Sequence, residues 1–181
     1  MESFAYILDY LPNGRSTEHG FYREPVALGL GATELKLLEI LPRPGTPLAV
    51  GTKIPLLPEG GSEPPIDHVR RRLTYEELTT SARTELDAVL EKVVRDDEPR
   101  FLRFVNEAPA VSRRFHLLEL LPGIGKKTML SIVAERGRAP FSSFADLGSR
   151  MHLQHPERLI VARIEQELSG APDKYRLFVA P

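Results

Sequence analysis

Two glycines separated by one apolar residue and followed by two lysines form the segment of this chain best suited to binding a ligand. Gly123, Ile124 and Gly125 lead directly to Lys126 and Lys127, and apolar residues at helical spacing lie on both sides. A tight glycine turn that opens into a helix leaves the first amides of that helix without backbone acceptors. Those amides, the positive end of the helix dipole and two ammonium groups suit phosphate. The spacing therefore predicts a phosphate-binding turn.

Two nucleotide-binding motifs do not fit the same residues. A Walker A loop needs glycine where Leu120 stands and Ser or Thr where Lys127 stands, and a dinucleotide fingerprint needs glycine in place of Thr128. A plain helix–helix turn without a ligand stays open, although the second glycine and the paired lysines favour phosphate. The segment resembles the helix-hairpin-helix motif of nucleic-acid-binding proteins, in which the hairpin binds the sugar-phosphate backbone without reading bases.

The composition narrows the class of protein. The 181 residues include no cysteine, which excludes disulfides, thiol nucleophiles and cysteine-based metal sites. We expect a cytoplasmic protein, because the sequence shows neither a secretory signal nor an apolar run of membrane-spanning length. Carboxylates and histidines are present, but their spacing matches no metal or acid–base pattern. We therefore expect no metal, no cofactor and no catalytic residue.

Charge is distributed unevenly along the chain. The whole sequence has 24 Lys and Arg against 25 Asp and Glu, whereas residues 109–150 have seven against three. A local excess of this kind is the expected footprint of phosphate binding. The basic residues of this segment are Arg113, Arg114, Lys126, Lys127, Arg136, Arg138 and Arg150.

The first part of the chain has the pattern of a small β-barrel, and the remainder is helical. Short runs rich in β-branched and aromatic residues, separated by Gly and Pro, predict strands at 4–10, 25–30, 34–41, 53–57 and 66–73. Residues 34–41 also fit a helix. This spacing favours an OB or SH3-like barrel and an α+β fold. We predict a barrel over 1–73, connecting helices over 74–108, a four-helix region over 109–170 and a tail over 171–181 with a strand at 175–179.

Local helix signals mark several boundaries within the helical part. Thr74 and Glu77 have the spacing of a capping box, as do Ser143 and Asp146 near the start of a later helix. Acidic residues and a proline at 96–99 end one helix and begin the next. The final helix is predicted over 156–168.

Arginines on the last predicted strand offer a second place for phosphate. If residues 66–73 alternate regularly, Arg70 and Arg72 share one face with His68 while Arg71 lies on the other. Such a row could follow a phosphate backbone, although a charged edge strand is an equally good interpretation.

A loop between the first two predicted strands combines aromatic and charged residues. Such a loop suits single-stranded RNA, because rings stack on unpaired bases and guanidinium groups pair with phosphate. The alternative is a solvated loop whose rings fold back onto the barrel. The residues concerned are Arg15, His19, Phe21, Tyr22 and Arg23.

Nearly the whole chain resembles a largely archaeal family of uncharacterised proteins that are described only as predicted RNA-binding proteins. That family joins an OB-like barrel to a helix-hairpin-helix region, and the resemblance implies no established activity. It is carried by LDYL (8–11), REP (23–25), LLE (37–39), VRRRLTY (69–75), RFLRFVNEA (100–108) and HLLELLPGIGKK (116–127), and continues through 141–147 and 174–179.

These observations together predict a non-enzymatic protein that binds nucleic acid, with RNA as the expected partner. DNA is the first alternative, because phosphate contacts hardly distinguish RNA from DNA. A protein-interaction scaffold is the second alternative. The residues expected to bind nucleic acid are Gly123, Ile124, Gly125, Lys126, Lys127, Arg113, Arg114, Arg70, Arg71 and Arg72.

Overall fold

A five-stranded antiparallel sheet organises the first half of the chain. The computed structural model describes residues 1–18, 20–170 and 174–181. Its sheet has the order β6–β1–β4–β5–β7 and curls into a half-barrel, and β2 and β3 pair as a separate hairpin. The strands are β1 (Phe4–Leu11), β2 (Arg15–Thr17), β3 (Gly20–Tyr22), β4 (Val26–Gly31), β5 (Leu37–Pro42), β6 (Lys53–Pro55) and β7 (Ile66–Arg72).

Alternating apolar residues give this sheet its core. One cluster of buried side chains includes Ile7 of β1, Ala27 of β4, Ile40 of β5 and Ile66 of β7. Every residue of β4 is buried, so both faces of the sheet are covered at its centre. All five predicted strands are confirmed to within three residues. The ambiguous segment 34–41 forms a strand, which begins only at Leu37.

Within the described part of the chain, five α-helices and one further hairpin follow the sheet. The elements are α1 (Thr80–Asp96), α2 (Glu98–Glu107), β8 (Ala110–Ser112), β9 (Phe115–His116), α3 (Lys126–Arg138), α4 (Phe144–Met151) and α5 (Glu157–Leu168), with 3₁₀-helices at Tyr75–Glu77 and Leu117–Leu120. The α+β prediction is therefore confirmed at the level of a curled sheet followed by helices. Both predicted caps are present, since Thr74 N–H donates to Glu77 and Asp146 N–H donates to Ser143.

The predicted strand at 175–179 is wrong. Residues 174–181 contain no strand. The backbone N–H groups of Leu177, Phe178 and Val179 instead donate to the carboxylate of Glu167, at 2.7, 3.0 and 2.9 Å. One buried carboxylate thus satisfies three amides that a neighbouring strand would otherwise have to pair.

The chain divides into two compact units. The first contains Met1–Val89 together with Gln166–Pro181, and the second contains Leu90–Glu165. The sheet lies in the first unit, and the glycine turn at 123–125 lies in the second. The predicted four-part division remains a prediction.

A buried carboxylate on β5 is surrounded by three arginines of the first unit. The Glu39 side chain is only 2% exposed. Its Oε1 lies 3.4 Å from Nη1 of Arg70, and its Oε2 lies 3.4 Å from Nη2 of Arg71 and 3.7 Å from Nη1 of Arg15. An ionised carboxylate at this depth requires positive partners to offset its lost hydration. These arginines supply that charge.

A β-bulge lets two consecutive residues of β7 reach the same carboxylate. Glu39 pairs with Arg71 and Ile40 pairs with Val69, so Arg70 is an extra residue without a cross-strand partner. Regular alternation would place Arg70 and Arg71 on opposite faces, but both contact Glu39. The predicted separation of these arginines onto two faces is therefore wrong.

The substitution Glu39→Gln tests the importance of this cluster. We expect it to lower the free energy of unfolding by about 2–3 kcal/mol, because three guanidinium groups would lose their shared counter-charge. Urea unfolding measures the change. The matched control is Glu63→Gln, which removes a 70% exposed carboxylate from an ion pair with Arg43 and should cost less than about 1 kcal/mol. Equal effects of the two substitutions would contradict the assignment.

A histidine caps the 3₁₀-helix that precedes the glycine turn. Nδ1 of His116 accepts the N–H of Leu118 at 3.1 Å, and the N–H of His116 donates to Oε2 of Glu119 at 2.8 Å. His116 is buried. Burial, and then the nearby charge of Arg136, hold the pKa of His116 below its usual 6.5. The cap requires the neutral imidazole, because a protonated Nδ1 cannot accept a hydrogen bond.

Acidification should therefore weaken the second unit. The folded state binds the His116 proton less readily than the unfolded state, so the stabilisation is complete above about pH 6.5 and declines as the pH falls below it. Urea unfolding at about pH 7.5 and about pH 5.5 would show this loss. In His116→Asn the amide oxygen can accept the same hydrogen bond without titrating, so the loss should be smaller. The same loss in both proteins would refute the assignment.

Candidate nucleic-acid interface

The glycine turn has a geometry that its sequence explains. The N–H of Ile124 donates to the carbonyl of Leu121 at 3.0 Å, which closes a four-residue turn. Pro122 and Gly123 occupy its two central positions, and Gly123 has φ +91°. This is the pattern of a type II turn, in which proline suits the first central position and glycine the second. Ile124 is 5% exposed and anchors the turn in the core of the second unit.

The segment before this turn differs from the prediction. Apolar spacing favoured a helix on each side, but the upstream element is the four-residue 3₁₀-helix Leu117–Leu120. The hairpin of β8 and β9 ends immediately before it, and that hairpin was not predicted. The downstream helix, α3, agrees with the prediction.

The N-terminus of α3 has neither a capping side chain nor an acidic residue in its first turn. Gly125 is the N-cap residue, and its carbonyl accepts the N–H of Met129 at 2.9 Å. A side chain would otherwise cover the first amides, as Ser143 does at α4. A Cβ at Gly125 would meet no atom within 4 Å. The amides at the start of α3 are therefore open to a ligand.

Lys126 is committed to contacts within the second unit. Its Nζ lies 3.1 Å from Oε1 of Glu119 and also donates to the backbone carbonyl of Arg114. The N–H of His116 and then the ammonium of Lys126 hold the pKa of Glu119 below its ordinary value. Lys126 thus joins the 3₁₀-helix and the β8–β9 turn to the start of α3. This role differs from the predicted direct contact with phosphate.

Three further basic residues lie on the two segments that Lys126 joins. Arg113 and Arg114 lie in the turn between β8 and β9, where Lys126 contacts the Arg114 backbone, and Lys127 is the second residue of α3. All three are exposed. Among the described residues, none of their side chains has an ion-pair partner. The structure therefore places the β8–β9 turn, which carries Arg113 and Arg114, beside the start of α3, which carries Lys127, and binding of nucleic acid by these residues stays a prediction.

Other basic residues of the 109–150 segment have structural contacts. Arg136 donates to the carbonyls of Val105 and Ala108 at the end of α2, at 3.0 and 2.8 Å. Arg150 donates to the carbonyls of Glu135 and Ala139 at the end of α3, at 2.7 and 2.8 Å. Such contacts satisfy helix carbonyls that lack intrahelical donors. The excess of positive charge that the sequence shows is therefore only partly available at the surface.

On β7, the arginines predicted to offer a second place for phosphate contact groups of the protein. Arg70 contacts Glu24 and Glu39, and Arg71 contacts Glu77 and Glu39. Burial lowers the pKa of Arg71, but the contacts with Glu77 and Glu39 outweigh this effect and raise it. The guanidinium of Arg72 donates to the carbonyl of Ala180 at 3.2 Å. These three arginines are held by protein groups of the first unit.

Glu119, the carboxylate that holds Lys126, was not predicted from the sequence. A signal was available, because His116 and Glu119 have the spacing of an N-terminal cap and its returning carboxylate. Proximity of Glu119 to Lys126 depends on the turn between them and could not be read from spacing alone.

The described residues contain no group of three or more His, Cys, Asp or Glu side chains arranged to hold a metal ion. None of the described helices has the length and apolar character needed to cross a membrane.

Comparisons with known proteins identify relatives without an assigned function. Residues 1–180 match DUF655, a protein family of unknown function. The uncharacterised protein MJ0038 of Methanocaldococcus jannaschii is 42% identical over 179 residues, which cover 98% of this chain and 80% of that protein. The crystal structure of Af1531 from Archaeoglobus fulgidus, also of DUF655, has a TM-score of 0.87 and 39% identity over 99% of this chain and 100% of that one.

The resemblance to an uncharacterised family with archaeal members is thus confirmed, whereas RNA binding stays a prediction. A match over almost the full length, supported by both sequence and structure, shows that this chain belongs to the DUF655 family.

Proposed function

We propose that this protein binds RNA through the phosphate backbone, at a helix-hairpin-helix turn formed by residues 121–127. The observation that carries this proposal is the open N-terminus of α3 with three exposed cations near it. In the proposal the protein is a binding module and not an enzyme. We also propose that the curled sheet is an OB-like barrel.

The backbone supplies the first part of the proposed site. Helix N-termini bind anions because their amides lack intrahelical acceptors and carry the positive end of the dipole. At α3 the N-cap is Gly125, and the space that its Cβ would fill is empty. A phosphate oxygen can approach these amides closely. Gly123 contributes by allowing the turn, whereas Ile124 fixes it from inside.

Side chains supply the second part. Lys127, Arg113 and Arg114 are exposed and have no carboxylate partner among the described residues. We assign the direct phosphate contacts to these three. Lys126 serves mainly to hold the β8–β9 turn beside α3, through Glu119 and the Arg114 carbonyl. In the proposed site, Lys126 is therefore a positioning residue and not a phosphate ligand.

Two exposed apolar residues favour the scaffold alternative. Leu130 on α3 is 61% exposed and Val111 on β8 is 44% exposed. A protein partner could cover them, and binding of that kind would survive reversal of charge at Lys127. Phosphate binding would not survive that reversal.

Phosphate contacts alone do not distinguish RNA from DNA. Affinities for an RNA and a DNA oligonucleotide of the same sequence therefore have to be compared directly.

Salt dependence provides the first test of the proposal. Each phosphate contact releases counterions, so the slope of log affinity against log salt concentration should become shallower by about 0.7–0.9 in Lys127→Ala. Fluorescence anisotropy with a labelled RNA oligonucleotide measures this slope. The control is Arg138→Ala at the other end of α3, where the side chain is 79% exposed and paired with Glu135. A slope that changes in the control but not in Lys127→Ala would overturn the assignment.

A methyl group at the N-cap provides the second test. Gly125 has φ −91°, which any residue adopts, and its Cβ would meet no protein atom. Gly125→Ala should therefore fold, with a stability loss of less than about 1 kcal/mol, but should weaken RNA binding because the methyl group occupies the approach to the α3 amides.

The matched control for that test is Gly137→Ala in the last turn of α3. Its Cβ also meets open space, and alanine favours helix by about 1 kcal/mol relative to glycine. This variant should be more stable and should bind RNA like the natural protein. Equal binding by Gly125→Ala and Gly137→Ala would refute phosphate binding at the N-terminus of α3.

A further inference from the structure

Two adjacent aromatic residues of the first unit are exposed on the β2–β3 hairpin. Phe21 is 59% exposed and Tyr22 is 39% exposed. The sequence left open whether these rings would fold back onto the sheet, and the structure places them at the surface. His19 lies outside the described residues. Phe21 and Tyr22 together form the exposed aromatic surface of this hairpin.

Contacts at the base of the hairpin hold its backbone in place. Gly14 has φ +80°, and a Cβ there would lie 1.7 Å from the carbonyl oxygen of Tyr22. Only glycine permits this close approach. Nη2 of Arg15 also donates to the carbonyl of Glu77 at 2.6 Å, which ties β2 to the segment that follows the sheet. The base of the hairpin that carries the rings is therefore fixed by contacts within the first unit.

The Tyr22 ring is backed by an arginine. The guanidinium carbon of Arg70 lies 5.1 Å from the ring centroid, within the range of a cation–π contact. Arg70 is itself fixed by Glu24 at 2.9 Å and by Glu39 at 3.4 Å. The guanidinium covers one face of the ring, and the partial exposure of Tyr22 leaves other ring surface accessible. Arg70 thus acts as a positioning residue.

We propose that Phe21 and Tyr22 form a stacking platform for unpaired bases of RNA. This inference rests on the proposed function and adds the class of ligand, a single-stranded segment. Every base has an aromatic face that can stack on a ring, and stacking requires no extended apolar surface.

The surroundings of the rings favour a base over a protein partner. Protein docking usually needs a contiguous apolar patch of several hundred Å². The neighbouring residues Ser16, Glu18 and Arg23 are polar or charged, and all are exposed. A base can stack on an isolated ring in such a setting, whereas an apolar protein surface would leave these groups without water.

Substitution of Phe21 separates stacking from simple apolar contact. Phe21→Ala should weaken binding of single-stranded oligoadenylate RNA by at least about fivefold, and a blunt RNA duplex should bind equally well before and after the change. Phe21→Leu keeps apolar bulk without an aromatic face and should bind as weakly as Phe21→Ala. The salt dependence should not change, because stacking releases no counterions. Full binding by Phe21→Leu, or an equal loss on the duplex, would overturn the proposal.

The absence of tryptophan from the chain allows a direct measurement. Phe21→Trp introduces a single tryptophan, which should retain binding and lose fluorescence when oligoadenylate stacks on it. Leu57→Trp, at a 43% exposed site beyond β6, is the control and should keep its emission. No quenching at saturating RNA would refute stacking at Phe21. If the natural protein binds neither single strands nor duplex, the proposed function itself fails. If the natural protein binds both, but Phe21→Ala does not weaken binding and Phe21→Trp is not quenched, only the stacking proposal fails.

Discussion

Many basic side chains of the described residues are held by carboxylates or backbone carbonyls of the protein. The need to pair those acceptors determines which cations remain for a ligand. The buried carboxylate of Glu39 engages Arg15, Arg70 and Arg71. Arg136 donates to carbonyls at the end of a helix, where an unpaired acceptor would be costly. The cations near Gly125 differ in this respect. Among the described residues, the carboxylate and the carbonyl bound by a cation at the start of α3 are those of Glu119 and Arg114, and Lys126 binds both. Because the first turn of α3 contains no acidic residue, Lys127 has no local ion-pair partner and the first amides of the helix stay open.

The elements that the sequence predicted well depend on local interactions. The five strands follow from alternating apolar residues and the turns between them, and the caps at Thr74 and Ser143 follow from spacing along one helix. The bulge at Arg70 could not be predicted in this way, because it depends on Glu39, 31 residues away in the sequence and on another strand. The tail at 177–179 shows the same limit. Its composition suits a strand, but the nearest acceptor for its amides is the carboxylate of Glu167.

In the candidate site, too, features set by local sequence were predicted and features that depend on distant residues were not. Glycine spacing predicted the turn at Gly123, because its positive φ is a local demand that few other residues meet. The uses of the basic residues were harder to predict, since a lysine or arginine can bind phosphate, pair with an acid or cap a helix, and sequence does not distinguish these roles. Of the basic residues at 109–150, the structure leaves Arg113, Arg114 and Lys127 exposed without an ion pair among the described residues, whereas Arg136 and Arg150 contact carbonyls.

A small number of available cations has a consequence for the proposed binding. About three phosphate contacts give a shallow salt dependence, and such contacts alone give weak affinity at physiological salt. The chain has a net charge of −1, so long-range attraction adds little. A protein that binds RNA under these conditions needs a contribution that salt does not screen. The proposed stacking on Phe21 and Tyr22 would be such a contribution, because it would arise from contact between ring faces rather than from counterion release. The two proposed surfaces would therefore contribute different kinds of binding energy. The cations near Gly125 would attract the phosphates of any nucleic acid, and the rings would add affinity only for unpaired bases.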